Sequence, residues 1–198
     1  GCTDHFSSDF NVTNGAFDWP QSAHQGLAPV AHRYFILDIL MKTVTIKPLN
    51  AKDFAPFGEV IEMPEKPGRI YFQDALGNLR PHATASLSTT VKEPNSDLPL
   101  EVNLLERHEF SSQSFMPAHV KSWLIVVAPH TADGKPDLEG VQAFLANGSQ
   151  GITYKPNTWH HGMTVFGETA KFNIFMWRDN TTGDEEFVPV TPFMVQQA

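Results

Sequence analysis

From Met41 onward the sequence is a succession of short runs of branched and aromatic residues cut by Pro, Gly and Asn, and no pattern constrains the fold more. The run 43–47 alternates apolar and polar side chains, the period-2 signature of a strand with one buried face. Further strand candidates fall at 59–63, 69–73, 83–90, 98–105, 110–115, 121–128, 151–154, 163–166 and 171–177. Strands this short and closely spaced must share a core, so the pattern predicts an all-β sandwich or barrel with minor helical content. One helix is expected at 135–148: Lys135-Pro136-Asp137 opens it, Leu138, Val141, Phe144 and Leu145 form its apolar face, and Asn147-Gly148 closes it. A single helical turn is expected at 51–57, capped by Asn50 and stopped by Gly58.

Composition narrows the partners. With 198 residues, 41% of them hydrophobic, the chain fills one sizeable core and does not demand a second. A net charge of -8 excludes the basic footprint that nucleic acid or an anionic membrane surface requires, yet permits a small anionic substrate if cations gather locally. Cys2 is the sole cysteine, so neither an internal disulfide nor a cysteine-based zinc site can form. The longest apolar run, 123–128, falls far short of the roughly 20 residues of a membrane helix, and the expected location is the cytoplasm. Residues 1–40 lack either period apart from an apolar run at 34–40. They are expected to be an N-terminal extension or a vector-derived segment, with 41–198 as the single domain.

Chemistry is expected where polar residues interrupt the strands. Three groups stand out: Arg80 and His82; Glu106, Arg107 and His108 followed by Gln113, His119 and Lys121; and Lys155 with Trp159, His160 and His161. Neighbouring strand residues point to opposite faces, so only one of His160 and His161 can look into a barrel. Each group has a plainer reading: histidines at a core edge, Glu106-Arg107 as a solvated hairpin end, Trp159 as a packing residue. Convergence favours function, because a barrel brings inward residues of separate strands to one mouth.

Four segments together resemble the ureidoglycolate lyase (ureidoglycolate hydrolase) family. They are Phe54-Ala55-Pro56-Phe57-Gly58-Glu59-Val60-Ile61-Glu62; Leu105-Glu106-Arg107-His108 with Ser112-Gln113-Ser114-Phe115-Met116-Pro117; Pro136-Asp137-Leu138 with the segment 143–151; and Trp159-His160-His161. The resemblance spans Met41 to about Pro192 in order. It implies a cupin-like β-barrel (double-stranded β-helix or jelly roll), a homodimer, and cleavage of ureidoglycolate to glyoxylate and urea in allantoin and purine breakdown. It also implies a divalent metal, nickel in particular. On matching positions it lays Arg80 and His82, Glu106 to His108, Gln113, and the paired histidines. The chain departs from the pattern at His119 and Lys121, at Gly162 in place of proline, and at Arg178 after Trp177 where an acidic residue is usual.

The reaction sets the roles. Breaking the C–N bond of a carbinolamide needs a base for the hydroxyl proton and an acid for departing urea. His82, His160 or His161, Glu106 and Lys155 are the catalytic candidates. The substrate carboxylate calls for a guanidinium, Arg80 or Arg107, with His108, Gln113, Trp159 and Lys121 completing the binding set. No cofactor follows from the residues themselves; a metal would be expected on Gln113, His119 and His160. Two other readings keep the same barrel: a non-catalytic binding module for a small carboxylate or sugar, and a metal-dependent cupin enzyme of other specificity. An exposed barrel edge and the apolar tail 187–193 are expected to support the dimer.

Overall fold

The alternating run after Met41 forms β1 (Thr43–Pro48), and Asn50 caps the helical turn α1 (Ala51–Phe54) by accepting from the Asp53 N–H at 2.9 Å. The computed structural model describes residues 41–95 and 98–198; the expectations for residues 1–40 lie outside them. Gly58, expected to stop the helix, instead starts β2 (Gly58–Ile61), where a Cβ would run into the carbonyl of Thr153. The chain continues with β3 (Thr84–Lys92), β4 (Leu100–His108), β5 (Gln113–His119), β6 (Ser122–Ala128), β7 (Gln142–Asn147), β8 (Gly151–Tyr154), β9 (Trp159–His160), β10 (Thr164–Phe166), β11 (Ala170–Arg178) and β12 (Glu185–Gln196).

These strands make two sheets, an all-β architecture as expected. The first runs β2-β8-β5-β11-β3 and the second β10-β6-β7-β1-β12-β4-β9. In the second, β9 also pairs with β6, so the hydrogen bonds lead from β6 through β7, β1, β12, β4 and β9 back to β6. β6 is the shared wall. Trp123, Ile125 and Val127 join the core between the sheets with Phe54, Phe144 and Ile152, whereas Leu124, Val126 and Ala128 join a second core with Val102, Trp159 and Phe193. A strand apolar on both faces reads as a continuous hydrophobic run, which is why 121–128 carries no visible period.

Two expectations are corrected. Residues 135–148 are not a helix: an irregular stretch leads into β7, whose Ala143 faces one core and whose Phe144 and Ala146 face the other. With both faces buried, the period of 2 vanishes and the apolar spacing of 138, 141, 144 and 145 imitates a helical stripe. Residues 69–73 form no strand; they run exposed across the outer face of the first sheet beside Thr153 and Phe175. The tail 187–193 pairs inside the chain, where β12 lies antiparallel to β4 and parallel to β1.

Candidate active site

A change of phase in β4 builds the site. Its pairing with β12 is irregular between Pro189 and Phe193, and across that point Val102 and Leu105, an odd number of residues apart, both enter the second core. Irregularities of this kind re-aim side chains. Beyond it Glu106 and His108 turn to the face between the sheets. His160 stands directly opposite both Glu106 and Val127, so it shares that face. Across the gap Tyr154 and Met176 both stand opposite Gln113, which puts these three on the inner face of the first sheet. The Pro156-Asn157 turn sets the register: Asn157 takes a left-handed φ of 67°, and its N–H donates to the His108 carbonyl at 2.6 Å. Asparagine tolerates that conformation better than most residues.

The result is an acid–base cluster. His160 is 2% exposed, its ring stacks on Tyr154 at 4.2 Å, and its Nδ1 donates to the Thr158 carbonyl at 2.9 Å. Its Nε2 lies 3.3 Å from Oε1 of Glu106, not aligned for a straight hydrogen bond and with no other partner. Since Nδ1 carries a proton, an ionised Glu106 facing a bare Nε2 would be repulsive; the stable arrangement has one proton between the two groups. Burial pushes the Glu106 carboxyl up, but the close approach of His160 and the charges of His160, His108 and His161 outweigh it and hold the group below its ordinary range. His108 is buried with its ring 6.0 Å from that of His160; burial first, and then the His160 charge, lower its pKa, against the pull of Glu106 and Asp184. Burial, reinforced by the Glu106 charge, pushes the Tyr154 phenol far above its usual value, so it stays protonated.

Beside the cluster lies a cavity of about 270 Å³ lined by Arg80, His108, Gln113, Met176, Arg178 and Asp184, among others. Arg80 is locked between carboxylates, with Nη1 2.7 Å from Asp179 and Nη2 3.1 Å from Asp184. Arg178 ends β11 on the inner phase of Met176 and has no salt bridge among the described residues. A small polar cavity lined by His108 and by the Arg178 guanidinium, with the His160–Glu106 pair next to His108, suits a small carboxylate and a proton transfer.

A sequence model of ureidoglycolate lyase matches residues 41–196. The chain belongs to the ureidoglycolate lyase family. The ureidoglycolate lyase of Pseudomonas fluorescens is 41% identical over 146 residues, covering 68% of this chain and 84% of that protein. The ureidoglycolate lyase of Rhizobium etli is 35% identical over 166 residues, covering 77% and 95%. Among solved structures, a dTDP sugar isomerase from Desulfovibrio desulfuricans G20 is 14% identical with a TM-score of 0.41, over 67% of this chain and 82% of that one, too distant to bear on chemistry.

Within the ureidoglycolate lyase family pattern, the fold brings Arg80, Glu106, His108, Gln113 and His160 together and leaves the other expected residues elsewhere. Arg107 points to the opposite face. Its Nε donates to Glu186 and its Nη1 to Asn157, each at 2.7 Å, and its guanidinium lies 4.5 Å over the Trp159 ring, which belongs to the second core. His161 turns away from His160 and meets the Leu104 carbonyl at 3.3 Å. Lys155 donates to the Ala55 carbonyl at 2.7 Å and lines a different cavity, while His82 is exposed in the turn before β3. Lys121 precedes β6 and is exposed, six residues from Val127 and so roughly 20 Å along the strand from the level of His160.

The expected metal set does not fit. Gln113 and His119 are the two ends of β5, about 20 Å apart. His119 is 57% exposed and 3.5 Å from Glu168. Among the described residues no group of three or more His, Cys, Asp or Glu is arranged to hold a metal ion. Gln113, His119 and His160 therefore cannot meet around one ion.

Two residues of the site escape a sequence reading. Tyr154 reads as one more strand residue, and Asp184 hides in the turn-like Asp179-Asn180-Thr181-Thr182-Gly183-Asp184. Arg178 did leave a signal, as a basic residue where the family pattern expects an acidic one.

Proposed function

We propose that this chain cleaves ureidoglycolate to glyoxylate and urea, with Glu106, His108 and His160 moving the protons and Arg178 receiving the substrate carboxylate. The observation that carries the assignment is the Glu106–His160 pair, its imidazole buried, next to the His108 ring that lines a small polar cavity, in a chain of this family. His108, kept neutral by burial, takes the proton from the carbinol hydroxyl; the O–H electrons become the C=O bond of glyoxylate. The C–N bond breaks toward nitrogen, and the proton between Glu106 and His160 passes to the departing urea nitrogen. The proton on His108 then restores the pair, so no net proton is consumed. Gln113, whose buried Oε1 has no partner, orients the urea end.

Arg178 is preferred to Arg80 as the carboxylate anchor because Arg80 is already neutralised by two acids. Arg178→Ala is expected to raise KM on the order of 10- to 100-fold with a smaller change in kcat. Arg107→Ala is expected to leave KM near wild type. Steady-state kinetics decide between them, and a raised KM in the Arg107 variant alone would reverse the assignment.

Activity requires His108 without its extra proton, and its pKa lies below the ordinary 6.5. The acid limb of kcat/KM is therefore expected below pH 6.5, with activity lost as pH falls through the lowered value. A limb centred above 6.5 would remove His108 as the base.

No helix among the described residues is long and apolar enough to cross a membrane. With the acidic composition, this supports a cytoplasmic enzyme acting on a small anionic metabolite, which fractionation of cells expressing the chain would test.

A further inference from the structure

Asp184 is not among the expected site residues, yet it is tightly held. It is 6% exposed, its Oδ1 accepts from the Phe110 N–H at 2.7 Å, and its backbone carbonyl accepts from the Glu109 N–H at 3.0 Å. These bonds clamp the turn before β12 onto the end of β4. Its other oxygen, Oδ2, is 3.1 Å from Nη2 of Arg80 and 3.9 Å from Nδ1 of His108. Both Oδ2 and the His108 Nδ1 are buried without a hydrogen-bond partner.

We propose that Asp184 is a positioning residue that keeps the His108 proton on Nδ1, leaving Nε2 as the proton acceptor. The inference rests on the lyase reading given above. Its physical basis is the facing pair of buried atoms: a neutral imidazole carries one proton, and the opposite tautomer would set the Nδ1 lone pair against a carboxylate oxygen in a low-dielectric site. The Phe110 N–H holds Oδ1 and the Arg80 guanidinium lies against Oδ2, so Asp184 cannot swing away to water. The charged and titratable groups around the ring are His160, Glu106, Asp184 and Arg80. At 3.9 Å the pair is too long for a hydrogen bond, but catalytic pairs in unliganded sites are commonly long, and a shift of about 1 Å would close it.

The test uses the full chain labelled with ¹⁵N-histidine, with the His108 resonances identified by their loss in His108→Gln. Long-range ¹H–¹⁵N correlation on the wild-type protein is expected to show His108 as the Nδ1–H tautomer, the minor form of free histidine. Asp184→Asn keeps the shape and the acceptor for Phe110, but turns an amide donor toward Nδ1. It is expected to move the proton to Nε2 and lower kcat by ~10²- to 10⁴-fold with little change in KM. An Nε2–H tautomer in the wild type overturns the proposal whether or not the variant folds, and so does a folded Asp184→Asn with wild-type kcat. A wild-type protein with the Nδ1–H tautomer but no urea release would retain the role of Asp184 in placing the proton and remove the lyase reading instead.

Discussion

His160→Asn is expected to lower kcat by ~10²- to 10⁴-fold, the range for removing a positioned acid or base. Asparagine retains a donor for the Thr158 carbonyl that now holds Nδ1 at 2.9 Å, so the backbone there has no reason to move. What disappears is Nε2 beside Glu106, and with it the shared proton that the leaving nitrogen needs. Glu106→Gln should lose activity comparably, and the double variant should be little worse than either single one, because the two side chains act as one proton-holding unit. Steady-state kinetics, with a thermal melt to establish that each variant folds, check the expectation. A His160→Asn enzyme within a few-fold of wild type would place the chemistry elsewhere.

The second large effect is on stability. Arg80→Ala is expected to destabilise the protein by ~3–5 kcal/mol, as when one partner of a buried ion pair is removed. The Arg80 side chain is 14% exposed and that of Asp184 only 7%, so without the guanidinium the Asp184 charge is left largely shielded from water. Urea unfolding measures the loss. Asp184→Asn in the same chain should recover part of it, since the uncompensated charge is then gone. No recovery would mean that the cost of Arg80→Ala comes from lost packing.

Much of this architecture is legible in the residues. Alternation at 43–47, the Asn50 cap and the succession of turns point to an all-β domain, and the strands at 83–90, 98–105 and 151–154 fall close to β3, β4 and β8. Legibility fails where both faces of a strand are buried: β7 has no period of 2, and its spacing passes for a helix. The site divides in the same way. Glu106, His108, Gln113 and His160 carry chemistry in their side chains and stand out, and alternation alone requires that only one of His160 and His161 faces inward. Which one does so depends on the register of a two-residue strand, β9, set by the left-handed Asn157 turn. Arg107 misleads because the phase of β4 changes across the irregular pairing near Leu104, turning Arg107 to the face where Trp159 of β9 packs. Asp184 and Arg178 enter the site only through long-range pairing, which no local pattern records.

On this mechanism Glu106, His108 and His160 turn over ureidoglycolate with no metal ion held on Gln113, His119 and His160. The direct measurement is release of urea and glyoxylate from racemic ureidoglycolate by the wild-type chain and by Glu106→Gln, before and after dialysis against a chelator. Equal amounts of both products from the wild type, unchanged by the chelator and nearly abolished in Glu106→Gln, are the expected result. No product from folded wild-type protein, or full turnover by Glu106→Gln, would contradict it.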